Sequence, residues 1–230
     1  MTEYAYNDLK QTYSSERLGV TTYFDYDEDG NVVRTRKTAS GMPDIGSAFG
    51  YDKSGRLMAA TNELGQVTAY VYSTNSEGER VVTTTHPDTS TRVETYYRDG
   101  GLKSVAGTAA TAEFYDYGAD TNGSYTIEYY GSNSSASAWV KSYVDMLGQS
   151  WKTVYPDGYT KTITYDSKGR PVKESDGLTS TLTQYNGNGE PFVVAVDMNG
   201  NDAIDLAGND RVTETMSSYT VLESTDVQET

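Results

Sequence analysis

The chain has 230 residues, a formal net charge of −15, a pI near 4.4 and no cysteine. These values exclude disulfides, a thiol nucleophile and thiolate metal sites, and they disfavour nucleic acid and anionic membranes, because no basic stripe is present to displace counterions from phosphates. Hydrophobic residues make up only 36% of the chain, and of the aromatic residues 21 are tyrosine against 4 Phe and 2 Trp, which suits amphipathic rings packed between strands better than an aliphatic centre.

In chain order, residues 1–21 read as an N-terminal lead-in with strand character. Met1-Thr2-Glu3-Tyr4 lacks the basic and apolar regions of a signal peptide, and no later run is long enough to span a bilayer. Residues 22–216 then return seven times to a tyrosine followed closely by a turn glycine. The returns are Tyr26 to Gly30, Tyr51 to Gly55, Tyr96 to Gly100, a shortened Tyr115-Asp116-Tyr117-Gly118, a lengthened Tyr143 to Gly148, Tyr165 to Gly169, and Tyr185 to Gly189 with Asn186 in place of Asp. Two stretches are near copies at a constant shift of 69 residues, which carries His86 to Tyr155, Tyr96 to Tyr165 and Gly100 to Gly169. The period is that of one supersecondary unit.

In Tyr-Asp-x-x-Gly the aspartate bonds the backbone two residues on and the glycine takes positive φ, so Asp27, Gly30, Asp52, Gly55, Asp166 and Gly169 are expected at turns. The flanks alternate as strands do, in Val67 to Tyr72, Tyr125 to Tyr129 and Tyr159 to Tyr165. Gly131 to Ala138 reads as a loop and residues 217–230 as a C-terminal end segment. No stretch combines helical periodicity with caps. The expected fold is all-β: tandem antiparallel β-hairpins in a solenoid-like or open, curved sheet.

On these residues the chain resembles the YD-repeat (Rhs-repeat) family of bacterial Rhs proteins, Tc toxin shell components and animal teneurins. Tyr51-Asp52-Lys53-Ser54-Gly55-Arg56-Leu57 matches the family pattern Tyr-Asp-x-x-Gly-Arg-Leu in full, and Tyr165 to Pro171 matches up to its last position. The resemblance implies a spiral of hairpins that wraps, in complete proteins, into a hollow shell. The chain shows neither a proline-rich shell-closing segment with a divergent toxin domain nor a membrane anchor, and it is read as a piece of a longer protein.

Three constellations bear chemistry. Asp197, Asn199, Asn201, Ala203 and Asp205 alternate oxygen donors as calcium loops do, but Asp202 stands where such loops need glycine and Gly208 where they need a bidentate carboxylate. Calcium is therefore the one cofactor considered, against a plain Asn/Gly/Asp turn; the shorter Asp25 to Gly30 run coincides with a repeat turn. Trp139, Trp151, Tyr125, Tyr129, Tyr130, Tyr143, Tyr155 and Tyr159 form an aromatic set. Its rings either pack against one another or, if exposed in a ladder, offer faces to sugars. His86 takes the place that Tyr155 fills in the other copy, which makes it a turn variant; abundant carboxylates alone do not indicate hydrolysis.

The expected function is accordingly non-catalytic: a structural module of a larger secreted or surface protein that encloses, displays or binds another component. Its expected partners are neighbouring domains or chains, paired in part through open sheet edges. The alternative is a stand-alone module that binds polysaccharide on an exposed Tyr/Trp platform.

Overall fold

The computed structural model describes residues 2–215, and the backbone alone of Ser218–Leu222 and Thr225–Glu229. The chain divides into two compact units, Met1–Phe114 with Gly131–Asn133, and Tyr115–Tyr130 with Ser134–Thr230.

The first unit holds β1 (Thr2–Tyr6), β2 (Thr12–Arg17), β3 (Val20–Tyr26), β4 (Val32–Ala39), β5 (Ile45–Tyr51), β6 (Leu57–Thr61), β7 (Val67–Thr74), β8 (Arg80–Thr85), β9 (Thr91–Tyr96) and β10 (Leu102–Ala106). Each strand pairs antiparallel with the next in sequence. Strand β11 (Glu113–Asp120) begins in this unit, where Phe114 and Glu113 pair with Ser104 and Val105.

The second unit continues with β12 (Gly123–Tyr129), β13 (Trp139–Val144), β14 (Ser150–Val154), β15 (Thr160–Tyr165), β16 (Pro171–Ser175), β17 (Ser180–Tyr185), β18 (Pro191–Asp197) and β19 (Arg211–Glu214), again joined antiparallel in order. The hairpin β20 (Ser218–Leu222) and β21 (Thr225–Glu229) follows. The fold is all-β and built of antiparallel hairpins, as the alternating flanks and turn glycines imply.

Strands contact their neighbours in sequence, so stability arises between adjacent hairpins and not around one centre. The buried hydrophobic side chains among the described residues are Val82, Val105, Tyr143, Leu182, Val193 and Ala195, and most strand positions are half-buried. In β18 the pleat sets Val193, Ala195 and Asp197 on the better-covered face, with Ala195 opposite Leu182.

One repeat expectation is corrected. Tyr115-Asp116-Tyr117-Gly118 does not turn the chain but lies inside β11. A side chain at Gly118 would run into the Tyr125 ring, so this glycine makes room for a neighbouring tyrosine instead of supplying a left-handed turn. The reversal comes later, at Asp120 to Gly123, where the Asp120 carboxylate accepts from the Asn122 backbone N–H and Gly123 has φ +111°. Gly131 to Ala138 is a loop, closed by the Tyr130 N–H on the Ala138 carbonyl.

Candidate functional site

The feature that recurs throughout both units is a five-residue turn. In Asp27 to Asn31 the Asp27 N–H donates to the Asn31 carbonyl, the Gly30 N–H donates to the Asp27 carbonyl, and Gly30 has φ +86°. This is a type I turn followed by a left-handed residue, with the register shift of a bulge at the preceding tyrosine. Asp52 to Arg56, Asp145 to Gln149, Asp166 to Arg170 and Asn186 to Glu190 repeat the same backbone bonds. Asn7 to Gln11, Asn62 to Gln66 and Asn75 to Glu79 do so as well, the first with Lys10 in place of the glycine. In all eight the first side chain also accepts from the backbone N–H groups two and four residues on.

The fifth residue is chemically matched to the first. Where the turn starts with Asp, the fifth side chain is a donor: Asn31 reaches Asp27 at 3.0 Å, Arg56 reaches Asp52 at 2.7 Å and Arg170 reaches Asp166 at 2.6 Å. Where it starts with Asn, that amide donates to an acceptor, as in Asn7 to Gln11, Asn62 to Gln66, Asn75 to Glu79 and Asn186 to Glu190. After Asp145 the fifth residue, Gln149, donates instead to the Gly169 carbonyl of the next turn. Apart from Asp145 with Gln149, acceptor is thus paired with donor across these turns.

The repeat tyrosines tie successive turns together. The hydroxyls of Tyr26, Tyr51, Tyr165 and Tyr185 donate to the carbonyls of Thr12, Val32, Ser150 and Pro171 at 2.7, 3.1, 2.6 and 2.8 Å. Each acceptor is the first residue after the previous five-residue turn at the same end of the strands, two strands earlier. Arg170 also lies over the Tyr185 ring at 4.3 Å and Arg56 over Tyr72 at 4.6 Å.

These bonds hold the turn carboxyls below their usual range. The Asn31 amide lowers Asp27, the Arg56 N–H and then its guanidinium lower Asp52, and the Arg170 guanidinium brings Asp166 to about 2. Glu79 is lowered by Lys103 and then Asn75. Because the folded values lie below the unfolded ones, this contribution is complete above the ordinary carboxyl range and is lost as pH falls through the folded values. The thermal midpoint is expected to hold nearly level from about pH 7 to 5 and to fall between about pH 4 and 2. Asp166→Asn should shallow that fall; an equal slope for both proteins would show that these turns do not set acid stability.

The aromatic set separates into three groups, with Tyr130 apart from them. Tyr125 and Tyr143 face each other in register and meet edge to face at 5.7 Å between centroids, and Trp151, at a register shift in β14, lies 6.1 Å from Tyr143. Lys141 Nζ sits 3.6 Å over the Tyr125 ring and 4.7 Å from the Tyr143 centroid. Lys141 Nζ and the Tyr143 hydroxyl both donate to Asp120 Oδ2, at 3.0 and 2.8 Å. The Asp120 carboxyl is held well below its usual range, first by the Asn122 N–H and then by Lys141 and Tyr143. Tyr143 is only 4% exposed, which is the position of a packing residue. Trp139 pairs across the sheet with Tyr129, both half-buried, whereas Tyr155 and Tyr159 bracket one turn with centroids 5.5 Å apart. Tyr130 is exposed beside the 131–138 loop.

In the segment considered for calcium, Asp197 is buried and accepts from the Gly200 and Asp202 N–H groups. Asp205 accepts from the Asn199 and Asn201 amides, while the Asn199 and Asn201 oxygens accept from the N–H groups of Asn201 and Ala203. Asp210 accepts from Met198 and Asp205. These oxygens serve donors of the loop itself. Among the described residues no group of three or more His, Cys, Asp or Glu side chains is arranged to hold a metal ion.

The sequence matches the model of the teneurin YD-shell over residues 2–203. The chain belongs to the teneurin YD-shell family. No curated protein is matched. Among solved structures, TcdB2-TccC3-Cdc42 aligns with a TM-score of 0.64 at 11% identity and TcdB2-TccC3-TEV with 0.64 at 12%, each over 99% of this chain and 14% of that chain. The Photorhabdus luminescens Tc holotoxin pore aligns with a TM-score of 0.47 at 13% identity, over 87% of this chain and 13% of that chain. At such identities the likeness concerns the fold, and this chain spans a small part of those chains.

Two features of this YD-shell chain escape a reading by motif. The match between first and fifth turn residues lies just beyond Tyr-Asp-x-x-Gly, although the change from Asp with Asn or Arg to Asn with Gln or Glu is visible in the sequence once the fifth position is included. Lys141 carries no such signal, since its two rings and Asp120 come from three different strands.

Proposed function

We propose that this YD-shell chain is a non-catalytic structural module, part of a larger secreted or surface assembly in which it encloses or displays another component. The observation that carries this reading is the row of turns itself. Tyrosine hydroxyls bond back to the preceding turn across 14 to 19 residues, so each hairpin is built to receive another, and the side chains are spent on joining repeats. The small set of buried hydrophobics among the described residues, with most strand positions only half-buried, supports partners that cover the sheet. Tyr143, the best-buried ring of the aromatic set, supports packing over a sugar platform.

Cross-linking through lysines in the source cells, followed by mass spectrometry, tests the proposal. Links from this chain to a different polypeptide segment are expected. Recovery of the chain without such links would overturn the reading. So would retardation in a polysaccharide affinity gel that disappears with Trp151→Ala or Trp139→Ala.

A further inference from the structure

In the first unit the turn from Asn75 to Glu79, between β7 and β8, is tied to the next turn at the same end of the strands, Tyr97 to Gly101 between β9 and β10, by a different device. Where Tyr26, Tyr51, Tyr165 and Tyr185 bond a carbonyl two strands earlier, the Tyr96 hydroxyl donates to Glu94 of its own strand at 3.1 Å, and Arg80 lies over its ring at 3.8 Å. The two turns are joined by Arg98, which donates to the Glu77 carbonyl at 3.2 Å, and by Lys103 of β10. Lys103 Nζ donates to both oxygens of Glu79, at 2.8 and 2.9 Å, and to Glu77 Oε2 at 3.1 Å. Glu77 is exposed, whereas Glu79 is buried, with 6% of its surface exposed.

Glu79 Oε2 holds a second donor, the Asn75 side-chain amide at 2.9 Å. A lysine amine and an asparagine amide thus meet on one buried carboxylate oxygen. The Asn75 Oδ1 accepts from the Glu77 and Glu79 backbone N–H groups, each at 3.0 Å. Every part of this arrangement has a role in amide exchange. Two N–H groups on the carbonyl oxygen stabilise the negative charge that gathers there when a nucleophile adds to the carbon. A carboxylate within hydrogen-bond reach of both nitrogens can take a proton from one and return it to the other. The turn itself does not require a buried charge, since Asn62 makes the same turn with the neutral, exposed Gln66.

We propose that the chain joins Lys103 to Asn75 by an isopeptide bond of its own making, with Glu79 as the acid–base group. Glu79 takes one proton from the Lys103 ammonium, and the neutral amine adds to Asn75 Cγ. Glu79 then hands that proton to Nδ2, the Cγ–Nδ2 bond breaks and ammonia leaves. The extra proton on the new amide nitrogen departs with it as ammonium, so Glu79 ends as a carboxylate and no oxidant or further reactant is consumed. The resting state is the ion pair: Glu79 is held below its usual range chiefly by Lys103, and Lys103 above its own chiefly by Glu79. The free amine therefore forms rarely, and the bond accumulates slowly. Its product is a covalent strap between two successive turns, a single self-joining step that suits a structural module and needs no partner.

Intact-mass spectrometry of the purified full chain, fresh and after a week at mildly alkaline pH, tests the bond. A species lighter by one ammonia is expected to grow with time. Trypsin should release from it a branched peptide that joins Leu57–Arg80 to Asp99–Lys141, because a linked Lys103 is no longer cleaved. Lys103→Arg keeps the ion pair without the nucleophile, and Glu79→Gln copies the Asn62 and Gln66 pair while removing the proton carrier. Both should lose the branched peptide with an unchanged far-ultraviolet spectrum, and the linked chain should melt several degrees above Lys103→Arg. If Glu79→Gln loses its spectrum, fragmentation of the branched peptide from the unsubstituted chain, which must place the link at Asn75 and Lys103, carries the test. A constant mass, a loss of ammonia without the branched peptide, or a link that survives in folded Glu79→Gln overturns the proposal. So does a loss of one water, which would place the bond on a Glu77 or Glu79 carboxyl. None of these outcomes bears on the cross-links expected in cells, so the two readings fail separately.

Discussion

Tyr143→Ala is expected to destabilise the protein by about 3 to 5 kcal/mol in urea unfolding, the range for deleting a large buried ring. The ring is 4% exposed and meets Tyr125 and Trp151, so its loss leaves both without their shared neighbour. Lys141 would also lose one of its two rings, and Asp120 one of its hydrogen bonds. Tyr143→Phe keeps the ring and removes only the bond to Asp120, and should cost about 1.5 to 3 kcal/mol, as for a hydrogen bond to a charged group. A loss below about 1 kcal/mol for the alanine variant would show that the cluster does not hold β12, β13 and β14 together.

Substitutions at the turn glycines should separate backbone strain from crowding. Gly169 has φ +78°, and a Cβ there would lie 2.9 Å from the Gln149 amide that donates to the Gly169 carbonyl. Gly169→Val is therefore expected to cost about 2 to 3 kcal/mol. Gly55 has φ +75° but its nearest neighbour, Asn31, is 4.0 Å away, so Gly55→Val should cost less, about 1 to 2 kcal/mol. Gly187 has open space and no left-handed φ, and valine there should change stability by no more than about 0.5 kcal/mol. The 69-residue copy supplies the reverse experiment. Thr89 occupies the place of Gly158 and holds φ +68°, a costly conformation for a β-branched residue, so Thr89→Gly should stabilise by about 1 kcal/mol. Equal melting temperatures across the series would mean that these φ values do not limit stability.

The same near copy shows what local chemistry determines. Asp27, Asp52 and Asp166 bond backbone groups within four residues, and Gly30, Gly55 and Gly169 supply left-handed φ in the same five residues. Nothing outside the turn is needed, so repeated turns and alternating flanks are enough to read an all-β chain of hairpins and its family from sequence alone. Tyr115 to Gly118 marks the limit, because its turn residues were overruled by Tyr125 packing against Gly118. Tertiary structure also decided that Tyr125, Tyr143 and Trp151 meet while Tyr155 and Tyr159 lie at another turn, and that Lys141 lies against two of the rings. Those neighbours depend on cross-strand register and on where each connection ends, and a shift of one residue would move every side chain to the other face. Local bonds made the hairpins readable, and register alone chose which side chains would share a face.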